Sequence, residues 1–173
     1  QGHQVTIGRT PADFATAMRT AEAVISDAGA LRSCMPFAAP HLKLVFVTNA
    51  GLDALAPYDW LPPGAALMNN RGTHAGKAGE FGIMSLLMLA NRVPRMVTQQ
   101  RQGVWTEMWG SVLGGRTVTV IGLGSLGGAV AQHARQFGMV VTGMRANPAP
   151  HPACTRVIGM DALDEVLPST EFL

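Results

Sequence analysis

The sequence predicts an α/β protein built on mainly parallel sheets. Short runs rich in β-branched residues alternate with helical stretches, and one such run leads directly into a glycine-rich turn. The two strongest runs are residues 42–48 (LKLVFVT) and 117–121 (TVTVI), which consist mostly of apolar and β-branched residues and contain a single charge. Because strands of parallel sheets are covered on both faces, we expect these runs to be central strands of two separate sheets.

The remaining elements follow from local patterns. Thr10, Pro11 and Asp13 have the arrangement of an N-cap, a first-turn proline and an acidic third residue, which predicts a helix start. A long, weakly charged helix is predicted from His74 to Arg92, and Pro94 ends it. Further strands are predicted at residues 5–8, 23–26, 65–68 and 139–144, and a short helix at 161–167.

A second amphipathic helix is predicted over residues 96–109, where it carries Trp105 and Trp109. These tryptophans either pack onto a partner subunit or lie within their own chain. The change from short strands to long helices places a domain boundary near residue 74. We therefore expect one domain over residues 1–74 and a second over residues 75–173.

Composition excludes several classes of protein. Thirteen Lys and Arg against eleven Asp and Glu give a charge of +2, too mild to indicate a nucleic-acid partner. With 47% hydrophobic residues the chain is not disordered, yet its longest uncharged apolar run is about half of the roughly 20 residues that a membrane span needs. Cys34 and Cys154 lack metal-ligand spacing and are predicted to be buried, reduced thiols, which favours a cytoplasmic protein without a metal site.

A glycine motif follows the strand at 117–121. Gly122, Gly124 and Gly127 form GxGxxG between a predicted strand and a predicted helix, the context in which this motif binds a dinucleotide. We expect the N–H groups of Ser125 and Leu126, at the positive end of that helix, to bind the pyrophosphate.

The residue at the end of the next predicted strand, 139–144, is expected to determine which dinucleotide binds. An acid there would bind a ribose 2′-OH, but this sequence has Arg145, followed by Asn147, and no carboxylate before Asp161. An arginine can pair with a 2′-phosphate, which favours NADP over NAD. The alternative is that Arg145 points to solvent.

Three blocks of the chain resemble the D-isomer-specific 2-hydroxyacid dehydrogenase family: residues 42–55, residues 68–92, and the stretch from 113 to 145. The resemblance implies two doubly wound (Rossmann/flavodoxin-like) parallel-sheet domains, the first for substrate and the second for the dinucleotide, with a long interdomain helix. It implies that Asn49, Ala50 and Gly51 bind the substrate carboxylate through backbone N–H groups, and that the protein is a homodimer joined through its dinucleotide domains.

The chain also departs from that family. The family's catalytic Arg and Glu–His pair match no residue here, so we expect both domains to be incomplete, the catalytic residues to be outside this chain, and the fragment to be inactive alone. His74 does not match the catalytic histidine, and neither His74 nor His133 is predicted to be catalytic.

The leading hypothesis is a parent NAD(P)-dependent oxidoreductase acting on a small 2-oxo acid such as glyoxylate or hydroxypyruvate. The alternatives are a non-catalytic, corepressor-like dinucleotide sensor on the same scaffold and another Rossmann enzyme such as a methyltransferase. An Arg with a Glu–His pair in the parent would distinguish the first two.

Overall fold

The computed structural model describes residues 2–173 and divides into two compact units, one extending to Thr73 and the other from His74 to Leu173. Each unit holds a three-stranded, fully parallel sheet, in the orders β1-β2-β3 and β4-β5-β6. The α/β class with two parallel sheets is therefore confirmed, as is the placement of the two apolar runs in separate sheets.

The first unit has two helices and three strands. These are α1 (Pro11–Met18), β1 (Ala23–Ser26), α2 (Ala28–Ser33), β2 (Leu44–Val47) and β3 (Ala66–Asn69), with 3₁₀ helices at Asp53–Leu55 and Tyr58–Trp60. The predicted start of α1 is confirmed: the Thr10 hydroxyl accepts from the Asp13 N–H, and the Asp13 carboxylate accepts from the Thr10 N–H. The strand β2 is central, with Val45 and Val47 fully buried.

The second unit contains most of the helical residues. It comprises α3 (Ala75–Ala90), α4 (Val93–Arg101), β4 (Thr117–Ile121), α5 (Ser125–Gln136), β5 (Val140–Met144), β6 (Arg156–Ile158) and α6 (Leu163–Val166), with 3₁₀ helices at Met160–Ala162 and Leu167–Ser169. The helices α3 and α5 pack together closely, because Gly79 and Gly82 leave room for His133 and Val130. The strand β4 is first in the order of its sheet rather than central as predicted, and on its other side a single parallel bridge joins Val118 to Phe172.

Two predicted elements are wrong. Residues 5–8 form no strand, since no neighbouring strand pairs with them, and Val5 and Ile7 remain exposed. The second helix ends at Arg101 rather than at 109, because Gly103 takes the left-handed conformation (φ 67°) that terminates a helix. Trp105 and Trp109 follow this helix and are 93% and 78% exposed, so they do not pack within their own chain.

Smaller differences concern one strand and one cysteine. The short strand β6 was not predicted, because it has only three residues and includes an arginine. Both cysteines are free, but Cys34 is half-buried whereas Cys154 is buried as expected.

Candidate functional site

The glycine loop begins where β4 ends. Gly122 has φ 90°, a left-handed conformation that favours glycine, and its N–H donates to the Met144 carbonyl at the end of β5 (2.8 Å). Leu123 is buried and packs against β5, where a Cβ on Gly143 would lie 2.5 Å from its side chain. The loop is thus fixed to the carboxyl ends of two adjacent strands.

The other two glycines of the motif have different surroundings. A Cβ on Gly127 would lie 1.9 Å from the Gly122 carbonyl oxygen, so only glycine lets α5 begin this close to β4. A Cβ on Gly124 would meet no atom within 4 Å. The backbone at Gly124 therefore borders open space that a ligand can enter.

Several backbone donors at this loop are free. Gly124 is the N-cap of α5 and supplies no capping side chain, and Ser125 and Leu126 are too early in the helix to have intrahelical acceptors. Among residues 2–173, no group accepts a hydrogen bond from the N–H of Leu123, Gly124, Ser125 or Leu126. This positive, open cradle fits the pyrophosphate of a dinucleotide, which these N–H groups would bind.

Arg145 directly follows β5, at the same edge of the sheet as the glycine loop, because Met144 is in register with Ile121. Its Nη2 donates to the Ala149 carbonyl, and its Nε is buried without a partner. The guanidinium is folded back on the loop from 145 to 149 and is half-buried. The side chain of Asn147 is exposed and makes no hydrogen bond within residues 2–173.

In the first unit, the loop Asn49–Gly51 follows β2. The Asn49 Oδ1 accepts from the Ala28 N–H at the start of α2 (2.7 Å), and the Ala50 carbonyl accepts from the Asn69 Nδ2 (2.6 Å). The N–H groups of Ala50 and Gly51 donate to nothing within the described part of the chain. These two adjacent free donors can bind a carboxylate.

Two groups at these loops were not predicted from the sequence, Asn69 and the Ala149 carbonyl. Asn69 directly follows the strand predicted at residues 65–68, which is a signal that it lies at the carboxyl edge of a sheet, but the pairing of that strand with β2 was not predicted. The role of the Ala149 carbonyl depends on how the loop after β5 closes, and no residue type signals it.

His151 and Cys154 lie close to the glycine loop: a Cβ on Gly128 would lie 3.3 Å from the His151 Nε2, and a Cβ on Gly143 would lie 2.8 Å from the Cys154 Sγ. His74 is the exposed N-cap of α3, whereas His133 packs against Gly79, and its Nδ1 lies 3.1 Å from the Gln136 Oε1. Burial raises the pKa of the Cys154 thiol, against the opposing charges of Arg145 and Arg135. Within residues 2–173 no three metal-binding side chains come together, and no helix there is long and apolar enough to cross a membrane.

The chain is similar to known proteins in sequence and in fold. The family model described as "D-isomer specific 2-hydroxyacid dehydrogenase, NAD binding domain" matches residues 83–173. The D-3-phosphoglycerate dehydrogenase of Mycobacterium tuberculosis (strain H37Rv) is 29% identical over 138 residues, covering 79% of this chain and 26% of that protein. The glyoxylate reductase of Korarchaeum cryptofilum is 31% identical over 108 residues, covering 59% of this chain and 32% of that protein.

A solved structure shows the same fold. The D-isomer specific 2-hydroxyacid dehydrogenase of Xanthobacter autotrophicus Py2, in complex with NADPH and MES, matches with a TM-score of 0.66 and 27% identity, over 77% of this chain and 42% of that one. The chain thus spans between about a quarter and two fifths of the length of these relatives. Because the family model covers more than half of the chain, the chain belongs to the D-isomer-specific 2-hydroxyacid dehydrogenase family, whose members are oxidoreductases.

Proposed function

We propose that the chain is part of an NAD(P)-dependent dehydrogenase that interconverts a small 2-oxo acid, such as glyoxylate or hydroxypyruvate, and its 2-hydroxy acid. The observation that carries this proposal is the open row of N–H donors from Leu123 to Leu126, at the start of α5. When bound, the cofactor supplies or accepts the hydride. The residues of this chain bind and orient its pyrophosphate.

We propose that residues 1–74 are the N-terminal part of the substrate domain, and residues 75–173 the interdomain helix and the N-terminal part of the dinucleotide domain. In the first of these, the N–H groups of Ala50 and Gly51 would bind the substrate carboxylate. Two adjacent backbone donors at the end of a buried strand suit a small, planar anion.

NADP is the proposed cofactor. Arg145 directly follows β5, and in Rossmann domains the residue after this strand contacts the adenosine ribose; the loop that follows Arg145 contains no carboxylate to bind a 2′-OH. One N–H of the Arg145 Nη2 donates to the Ala149 carbonyl, and the Nε is buried. The remaining N–H groups of the guanidinium are available to bind a phosphate. Asn147 lies in the same loop and is a second candidate for this contact.

Titration of the chain with NADPH and NADH tests the cofactor proposal. Arg145→Ala is expected to weaken NADPH binding about tenfold or more, since a charge-assisted hydrogen bond contributes roughly 1.5–3 kcal/mol. Binding of NADH should hardly change. Arg135→Ala is the matched control, because Arg135 donates to the Pro152 carbonyl from the far end of α5. Equal losses for both cofactors in Arg145→Ala would refute the phosphate contact.

We propose that the protein is a cytoplasmic homodimer joined through the dinucleotide domain. The segment after α4 supports the dimer, because Trp105, Trp109 and Val112 expose large apolar surfaces there. The two free cysteines are compatible with a reducing compartment. Light scattering of the wild type and of Trp105→Ala tests the dimer: the wild type should have twice the chain mass and the variant should dissociate at higher concentration.

A further inference from the structure

Asn69, the last residue of β3, sits beside the loop Asn49–Gly51. We propose that Asn69 is a positioning residue that orients the N–H of Gly51 toward the substrate carboxylate. The inference rests on the proposed function, because it assumes that this loop binds that carboxylate.

Register places Asn69 at the right point of the sheet. It pairs with Val47, the last residue of β2, in a parallel ladder. From there its side chain reaches the carbonyl of Ala50, three residues further along the loop, with an Nδ2–O distance of 2.6 Å. One residue on, the backbone N–H of Asn70 donates to the Asn49 carbonyl (3.1 Å).

These two bonds fix two consecutive peptide planes. The Asn49 carbonyl belongs to the same peptide as the Ala50 N–H, and the Ala50 carbonyl to the same peptide as the Gly51 N–H. In a trans peptide the carbonyl and the N–H point in opposite directions. Because the end of β3 holds both carbonyls, both N–H groups point away from β3.

The donors that result are unengaged, and the Asp53 carboxylate lies near them, since its Oδ2 would be 3.5 Å from a Cβ on Gly51. No group within residues 2–173 accepts from either N–H, and Gly51 is exposed and has no side chain to cover them. Two neighbouring N–H groups with a common direction form a concave anion site. Without the Asn69 amide, the Ala50–Gly51 peptide is free to rotate. Ligand binding must then order its N–H, and this entropic cost weakens the affinity.

The test uses the 173-residue chain labelled with ¹⁵N and titrated with oxamate, an unreactive 2-oxo acid analogue. The amide signals of Ala50 and Gly51 report binding residue by residue and do not require turnover. Asn69→Asp retains the shape but replaces the donor amide with a carboxylate. Asn70→Asp is the matched control, because Asn70 is equally half-buried and forms hydrogen bonds only through its backbone, as a donor to Asn49 and an acceptor from Thr73.

In the wild type we expect saturable shifts at Ala50 and Gly51. The Asn70→Asp variant measures the effect of the added charge alone. Loss of one hydrogen bond predicts that Asn69→Asp binds oxamate about fivefold more weakly than Asn70→Asp does. Asn69→Ser, which is neutral and too short to reach the carbonyl, should show a similar loss relative to the wild type. Protonation of the aspartate at lower pH should restore part of the affinity of Asn69→Asp, since a carboxylic acid can donate.

The possible failures are distinguishable. Absence of shifts at Ala50 and Gly51 in the wild type would refute the proposed carboxylate loop itself. Wild-type affinity in Asn69→Asp and Asn69→Ser would overturn the positioning role while leaving that loop in place. If both variants lost dispersed amide signals throughout the first unit, Asn69 would be required for folding, and the proposal would also fall.

Discussion

Three glycines of the second unit are expected to respond differently to the addition of one methyl group. In Gly127→Ala the new Cβ would lie 1.9 Å from the Gly122 carbonyl oxygen, and backbone must move. Overpacking typically costs about 1–3 kcal/mol, and a contact this short with backbone predicts a loss near the upper end of that range. In Gly76→Ala, on the exposed face of α3, the Cβ would meet nothing within 4 Å. Since alanine is the better helix former, a gain of about 0.5–1 kcal/mol is expected.

Gly124→Ala separates stability from ligand binding. Gly124 has φ −73° and ψ −166°, which alanine can adopt, and its Cβ would lie in open space. Because alanine is a poorer N-cap than glycine, stability should fall by less than about 1 kcal/mol. The methyl group would occupy the side from which a pyrophosphate approaches, so NADPH binding should weaken at least about tenfold, or roughly 1.4 kcal/mol.

Urea unfolding gives the three stabilities, and fluorescence titration with NADPH gives the affinities. From the most to the least stable, the expected order is Gly76→Ala, wild type, Gly124→Ala and Gly127→Ala. Gly76→Ala also serves as the binding control. Unchanged NADPH affinity in Gly124→Ala would show that the phosphates do not approach this backbone and would refute the reasoning.

Three other outcomes are expected. Thr10→Ala removes one half of the capping box of α1 and should cost about 1 kcal/mol in urea unfolding; an unchanged midpoint would contradict the cap. Hydrogen bonds from the Thr117 N–H and then from the Arg116 guanidinium lower the pKa of Glu171 below its ordinary value of 4.5. The stabilisation of the folded state by these bonds is therefore present above pH 4.5 and is lost as the pH falls through the lowered pKa. Glu171→Gln should therefore be less stable at neutral pH and less sensitive to acid, and parallel pH profiles for variant and wild type would argue against this. With glyoxylate and NADPH, the 173-residue chain alone should show no turnover, and robust turnover would make His74 the first candidate for an acid.

The elements that the sequence predicted correctly are those whose cause is local. The capping box of Thr10 and Asp13 depends on four consecutive residues, and it forms as expected. The strand at Thr117–Ile121 is followed by three glycines at fixed spacing, and this pattern predicts both the turn and the start of α5. In these cases neighbouring residues satisfy each other's hydrogen bonds, so the pattern alone is sufficient.

The errors have causes that are not local. Residues 5–8 have strand-forming side chains, but a strand requires a neighbour with which to pair, and sequence gives no sign of whether one is in reach. The helix predicted over residues 96–109 continued an amphipathic pattern past Gly103, although a glycine there can end the helix by turning left-handed. The role of Asn69 depends on the pairing of β3 with β2, which is known only once the sheet order is known.

Backbone groups supply the free donors at both candidate sites, and this determines which substitutions are informative. Replacing Ala50 or Leu126 by another ordinary residue leaves its N–H in place, so a side-chain scan of these loops would underestimate their part in binding. The informative positions are those that hold the peptide planes or keep the approach open, namely Asn69 in one unit and Gly124 in the other. A site built from backbone donors selects its ligand by the shape and charge of the anion. Arg145, by contrast, contributes its own side chain, and cofactor preference should follow that one residue.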